Sequence, residues 1–143
     1  RIAKSYLCND ADCADAIQNA IVHAFEKLYS LRNDKYVKTW FIRILINECH
    51  QVIRENKKVV TWEEYQEEGR EAEYIRGYGQ YSELYESIMR LKENERTCII
   101  LYYFEEYSIR EIAQCLESTE SAVKKRLVRA REHLRGILKA KSA

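Results

Sequence analysis

Two helices joined by a very short turn are predicted for residues 108–138, SIREIAQCLESTESAVKKRLVRAREHLRGIL. Apolar residues in the first half recur at steps of three and four, the pattern of one buried helix face. They are Ile109, Ile112, Ala113 and Leu116. Ser108 and Glu111 have the S-x-x-E spacing of a capping box, in which each side chain bonds the other's backbone N–H. The first helix is therefore predicted to begin at Ser108.

The second helix of this stretch has one apolar face and one basic face. Its apolar positions are Val123, Leu127, Ala130, Leu134 and Ile137 or Leu138. Thr119 or Ser118 is the expected N-cap. Because the apolar stripe fixes the orientation of the helix, the opposite side must face solvent. That side carries Lys124, Lys125, Val128, Arg129 and Glu132.

A short helix, a tight turn and a basic second helix are typical of the helix-turn-helix, whose second helix enters the DNA major groove. Residues 121–143 contain eight Lys/Arg against one Glu, a net charge of +7 within a chain whose total is only +1. Such a cluster favours binding to phosphates, since each neutralised phosphate releases counterions. The alternatives are an ordinary solvated helix face and, ranked lower, a helix lying on an anionic membrane.

Length and composition narrow the class of protein. A chain of 143 residues with 46% hydrophobic residues can bury one core or two small ones. No apolar run approaches the roughly 20 residues of a membrane span, and no leader is recognised, so we expect a cytoplasmic protein. The five cysteines are odd in number and lack a C-x-x-C pair, which favours packing over disulfides or zinc. No glycine-rich phosphate loop or converging catalytic group is present, so we expect no enzyme, no catalytic residue, no metal and no cofactor.

The first part of the chain is predicted to form three helices with short connections, which pack as antiparallel neighbours. Residues 1–7 resemble the end of a helix whose start is missing, residues 12–31 form a long helix, and residues 36–55 form a third. The apolar stripe expected for the long helix is Cys13, Ile17, Ala20, Ile21, Ala24, Phe25 and Leu28. The stripe expected for the third is Val37, Trp40, Phe41, Ile44, Leu45, Cys49, Val52 and Ile53.

The segment that follows has no sustained periodicity and contains three of the four glycines, so it is predicted to be a flexible linker. Helical periodicity resumes near Ser82, with two helices before the helix-turn-helix. The fold class is therefore all-α, with a three-helix domain at residues 1–56, a linker at 57–81 and a four-helix domain at 82–143.

The sequence of the chain resembles that of the extracytoplasmic-function (ECF) class of bacterial sigma factors, in the sigma-70 family. In the first domain the resemblance rests on Asp15 and Gln18 in DAIQNA and on the W-x-x-x-I-x-x-N pattern in WFIRILINECHQVIR. In the second it rests on SIREIA and AVKKRLVRAREHL. Glu117 stands in the turn where the family often has glycine; a positive φ there would cost about 1 kcal/mol. The resemblance implies sigma domain two, truncated at its N-terminus, followed by sigma domain four.

The resemblance also implies roles for specific residues. Binding to core RNA polymerase is assigned to the helix surface formed by Asp15, Gln18, Asn19 and Val22. Recognition of the minus-ten promoter element is assigned to Asn33, Lys35 and Tyr36, while Trp40 is expected in the core. Recognition of the minus-thirty-five element is assigned to Lys124, Lys125, Val128 and Arg129, with Arg126 and Arg131 reaching phosphates.

The expected function is thus that of an alternative sigma factor that directs promoter-specific initiation in a stress response. Its implied partners are core RNA polymerase, promoter DNA and a membrane-anchored anti-sigma factor, which would hold it at the membrane; no small-molecule substrate is expected. The alternative is a helix-turn-helix regulator that binds duplex DNA without joining polymerase.

Overall fold

The first group of helices follows the predicted order closely. The computed structural model describes residues 1–55 and 82–142, and within these ranges it contains helices and turns but no strand. The first group comprises α1 (Ile2–Tyr6), α2 (Asp10–Glu26) and α3 (Val37–Glu55). Two short 3-10 turns, Leu28–Ser30 and Asp34–Tyr36, lie between α2 and α3. The long helix therefore ends earlier than its predicted boundary at residue 31.

The second group of helices carries the helix-turn-helix. It comprises α4 (Ser82–Met89), α5 (Glu93–Ile99), α6 (Ile109–Cys115) and α7 (Glu120–Ser142). A π-helical turn, Ile100–Phe104, continues α5. The predicted linker lies outside the described residues, and the domain boundaries remain predictions.

The buried face of α2 differs from the expected stripe. Cys13 and Ala20 are buried as expected, but the buried positions also include Ala16. The large apolar side chains at the edges of that face are exposed instead: Ile17, Ile21, Phe25 and Leu28. Because small alanines face the neighbouring helix, α2 and α3 approach closely and leave larger side chains outside the contact. Hydrophobic periodicity alone placed this face wrongly.

Most of the expected stripe of α3 is correct. Ile44, Leu45, Cys49 and Val52 are buried, whereas Val37 is exposed. Val37 is the first residue of α3, directly after the 3-10 turn. Trp40 packs against the core while remaining only half-buried. Its expected core position is therefore only partly correct.

The two groups share one continuous apolar core rather than forming two separate ones. Helix α1 packs against α5, and α3 packs against α6. Buried residues from both groups belong to the same cluster, among them Ile2, Tyr6, Leu45, Cys49, Cys98, Ile100, Ile112 and Leu127. The composition was compatible with either one core or two small cores, and the structure has one core shared by both groups.

Polar contacts cross between the groups at the edge of this core. The Arg96 guanidinium donates through Nε to the carbonyl of Ser5, at 2.6 Å, and through Nη1 to the carbonyl of Met89, at 2.9 Å. The Ser5 and Thr97 hydroxyls lie 3.3 Å apart. Burial lowers the pKa of Arg96 from its usual value. An arginine of the second group thus binds the last turn of α1 in the first.

The cysteines pack as predicted. Cys13, Cys49, Cys98 and Cys115 are buried as free thiols, and Cys8 is half-buried. Burial raises the pKa of both Cys49 and Cys115 to about 12, so these thiols stay protonated near neutral pH. Among the described residues, no helix is both long and apolar enough to cross a membrane.

Candidate nucleic-acid interface

Helix α6 begins at the predicted cap. The Ser108 hydroxyl accepts from the Glu111 backbone N–H at 3.1 Å, and the Glu111 carboxylate accepts from the Ser108 N–H at 3.0 Å. This reciprocal pair is a complete capping box. Ile112 and Ala113 are buried, so α6 presents its predicted apolar face to the core.

The turn between α6 and α7 contains a strained residue. Glu117 has φ = 50°, in the left-handed region that favours glycine. The sequence predicted a cost in stability at Glu117 if its φ was positive, and its φ is positive in the structure. Thr119 caps the next helix: its hydroxyl accepts from the Ala122 N–H at 3.1 Å.

Helix α7 exposes the basic face that its periodicity predicted. Val123, Leu127 and Ala130 are buried, at 1% exposure or less, and fix the rotation of the helix. On the opposite side four of the six residues assigned to the upstream promoter element are exposed together: Lys124, Lys125, Val128 and Arg129. Cationic groups grouped around one apolar side chain suit a major groove, which offers phosphates, base edges and the thymine methyl.

Arg126 and Arg131 lie at the two edges of this face rather than at its centre. Arg126 is half-buried and lines a cavity of about 180 Å³ between the two groups, together with Asn47 and His50. It also interacts with the Cys98 thiol, where it partly offsets the burial that raises the pKa of that thiol to about 11. Arg126 is therefore partly covered by the other group.

Arg131 is exposed but already has aromatic partners. Its Nε donates to the Tyr103 hydroxyl at 2.7 Å, and its guanidinium lies 5.8 Å and 5.7 Å from the ring centroids of Tyr102 and Tyr103. These contacts hold the side chain over the π-helical turn.

The residues assigned to the downstream element border a groove in the first group. Asn33 and Tyr36 line this groove, which has a volume of about 450 Å³, while Lys35 lies beside it with its Nζ 5.9 Å from the Tyr36 ring centroid. The Asn33 side-chain oxygen accepts from the Lys35 N–H at 3.0 Å and so caps the 3-10 turn. Its amide N–H groups remain the donors for a ligand.

Two groove residues were not assigned from the sequence. Trp40 and Arg43 lie in the first two turns of α3 and line the same groove. The i, i+4 and i+7 spacing of Tyr36, Trp40 and Arg43 was the available signal, since such residues share one helix face. Gln114 of α6 also lines the groove, and no sequence pattern indicated that contact.

The predicted polymerase-binding residues share one exposed surface of α2. Asp15, Gln18, Asn19 and Val22 are all exposed. The exposed apolar side chains Ile17, Ile21 and Phe25 form a strip beside them. Together these residues form a mixed polar and apolar surface, the composition found in protein–protein interfaces.

The described residues offer no cluster of three or more His, Cys, Asp or Glu that would hold a metal ion. Each histidine is paired with one glutamate instead. The pairs are His23 with Glu48, His50 with Glu93 at 3.6 Å, and His133 with Glu95 at 2.8 Å.

An all-α protein with two capped helices joined by a short turn, the second of which exposes a basic face, has the architecture of the helix-turn-helix class. Residues 1–59 match the family Sigma-70 region 2, and residues 81–134 match Sigma-70, region 4. RNA polymerase sigma factor SigV of Bacillus subtilis is 31% identical over 139 residues, covering 94% of this chain and 81% of the relative. ECF RNA polymerase sigma factor SigM of Mycobacterium tuberculosis is 29% identical, covering 96% and 70%.

Two solved structures share the fold. Sigma factor RpoE in complex with the anti-sigma factor NepR from Bartonella quintana superposes with a TM-score of 0.72 at 23% identity, covering 96% of this chain and 88% of that one. CnrH in complex with the cytosolic domain of CnrY gives 0.71 at 24% identity, covering 97% and 79%. The chain belongs to the ECF class of the sigma-70 family of RNA polymerase sigma factors. It is an alternative sigma factor for promoter-specific transcription initiation, and its family is not a class of enzymes.

Proposed function

We propose that the exposed face of α7 recognises the minus-thirty-five element. The observation that carries this assignment is the joint exposure of Lys124, Lys125 and Arg129 on the second helix of a capped helix-turn-helix. Arginine pairs bidentately with guanine, whereas lysine on a phosphate adds affinity without sequence preference. Arg129 therefore supplies sequence specificity. Lys124 and Lys125, on the same face as Val128, add affinity by binding phosphates.

The edge arginines have more limited roles. Arg131 reaches a phosphate from its position over Tyr103, since an exposed guanidinium retains free N–H donors after one hydrogen bond. Arg126 reaches DNA only when the second group moves away from the first, because its side chain lines the cavity between them.

The groove beside α3 takes an unstacked base of the minus-ten element. Asn33 supplies hydrogen-bond donors, Tyr36 supplies a half-exposed ring for stacking, and Lys35 supplies positive charge near the strand. Aromatic rings beside cationic groups are the usual means by which proteins bind single-stranded DNA.

The exposed surface of α2 docks onto core RNA polymerase. Asp15, Gln18 and Asn19 provide hydrogen bonds around Val22, which is 54% exposed. Such a surface suits a reversible interface, as a factor that joins and leaves polymerase requires.

An anti-sigma factor holds the protein inactive, and its membrane anchor keeps the cytoplasmic sigma factor near the membrane. Support for the partner comes from two solved structures. RpoE was solved in complex with the anti-sigma factor NepR, and CnrH was solved in complex with the cytosolic domain of CnrY. The anchor and the cellular location are inferred from the family resemblance.

Run-off transcription tests the whole assignment. Core RNA polymerase is supplied with a library of promoters, with and without this chain, and the transcripts are sequenced. We expect transcripts that require the chain and that share two upstream elements. Duplex binding by the chain alone, without any chain-dependent transcript, would instead identify a regulator that acts without polymerase.

A further inference from the structure

The groove proposed for the minus-ten strand has one wall that belongs to the other helical group. Asn33, Tyr36 and Trp40 line it from the first group, while Gln114 lines it from α6 of the second. The second group therefore borders the surface on which the strand would lie. Arg43 is the groove residue that joins the two sides.

Arg43 contacts the helix-turn-helix through one edge of its guanidinium. Nε and Nη2 donate to the Gln114 carbonyl at 3.2 Å and 2.9 Å, and Nε also lies 3.3 Å from Oε1 of Glu117. Gln114 is in the last turn of α6, where carbonyls carry partial negative charge that favours a cation. The contact joins α3 to the turn of the DNA-reading motif.

The same edge is one that nucleic acid can use. A guanidinium binds phosphate bidentately through two parallel N–H groups on one edge, and stacks over bases through its plane. In this structure the Nε–Nη2 edge is occupied by Gln114 and Glu117. A DNA strand in the groove can take that edge only after the second group releases it.

We propose that Arg43 is a shared contact, which binds the helix-turn-helix turn when the groups are packed together and the single-stranded promoter DNA when they separate. The strand and the second group then compete for one side chain. This inference rests on the proposed role of the groove in binding the minus-ten strand. Competition lowers the apparent affinity for DNA by the fraction of molecules in which the edge is occupied.

Opposite effects of two substitutions test the proposal in the full chain. Arg43→Ala removes the side chain from both partners, whereas Glu117→Ala removes only an exposed carboxylate on the second group. The probe is a fluorescein-labelled pool of single-stranded 10-mers of randomised sequence, titrated by fluorescence anisotropy. Arg90→Ala is the matched control, since Arg90 is an exposed arginine whose partner Glu86 lies within its own group.

We expect Arg43→Ala to weaken binding of the pool about tenfold, as loss of one direct contact does. We expect Glu117→Ala to strengthen binding about twofold, because it removes a competitor worth as much as a surface ion pair. Both changes should speed amide hydrogen exchange at residues 116–119, and the control should alter neither readout. Tighter binding by Arg43→Ala would overturn the proposal, because Arg43 would then only join the two groups and would not bind DNA. Unchanged binding by Glu117→Ala would show that the second group does not compete with DNA for Arg43.

Asn33→Ala separates this inference from the role of the groove itself. If Asn33→Ala weakens binding while Arg43→Ala does not, the groove binds DNA and the shared contact is wrong. If Asn33→Ala has no effect, or the unmodified chain does not bind the pool, the groove assignment fails and the inference fails with it.

Discussion

The two surfaces that we propose bind DNA differ in how they are exposed. The face of α7 with Lys124, Lys125 and Arg129 is open to solvent along its whole length. The groove beside α3 is bordered by the second helical group, and its Arg43 is hydrogen-bonded to Gln114. The first surface belongs to one helix, whereas the second depends on how two groups of helices meet.

With both groups packed together, one of the two proposed promoter contacts is free and the other is partly engaged. The free surface is available for an encounter with duplex DNA. The engaged surface becomes fully available only after the groups rearrange, which matches its proposed task of binding a strand that has already been separated.

The largest expected effect concerns the buried side of α7, which holds its free surface in place. Leu127→Ala should lower the free energy of unfolding by about 2–5 kcal/mol, since Leu127 is 1% exposed and leaves a cavity. Val128→Ala, one residue on and 50% exposed, should change it by less than about 0.5 kcal/mol. Urea denaturation measures both. Similar losses for the two variants would contradict the assigned rotation of the helix.

Specificity at the free surface is tested by Arg129→Ala. We expect it to reduce discrimination between the preferred minus-thirty-five sequence and its single-base variants by about 1–3 kcal/mol at one position. Transcription from a set of upstream variants measures this. An equal loss on every variant would show that Arg129 contacts phosphate rather than a base, and Arg90→Ala serves as control.

The strained turn between the two surfaces is tested by Glu117→Gly. Glycine adopts φ = 50° without a steric penalty, so we expect a gain of about 1 kcal/mol in the free energy of unfolding. The gain is measured by denaturation, with Ser118→Gly as control for a glycine at a neighbouring position. A loss of stability would mean that the pair with Arg43 outweighs the strain.

The smallest effect is expected at a phosphate contact of the free surface. Lys124→Ala should make the dependence of log affinity on log salt shallower by about one unit, because one fewer counterion is released. Equilibrium binding of promoter duplex by the polymerase holoenzyme across a salt series measures the slope. An unchanged slope would remove Lys124 from the set of phosphate contacts.

Much of the free surface could be predicted from the sequence. The capping box of Ser108 and Glu111, the Thr119 cap and the buried positions Val123 and Leu127 depend on interactions within one turn or one helix face. The exposed residues of α7 follow from the same periodicity. Local spacing was sufficient there because the helix buries a single face.

Prediction was less accurate wherever one helix meets another. Ile17, Ile21 and Phe25 were expected to be buried, but α2 contacts its neighbour through Ala16 and Ala20 instead. Arg126 was assigned to a phosphate contact and lies half-buried between the groups. Periodicity states which residues share a face, but it does not state how closely a neighbour approaches or which edge it covers.

The sequence by itself determined the order of the helices, the caps of α6 and α7, the basic face of α7 and the resemblance to ECF sigma factors. Only the tertiary structure decided that both groups share one core and that Arg43 reaches from α3 to Gln114 and Glu117. The physical reason is the range of the interactions. Helix hydrogen bonds and caps join residues within four positions, whereas the contact between Arg43 and Gln114 joins residues 71 positions apart and exists only when the two groups are packed.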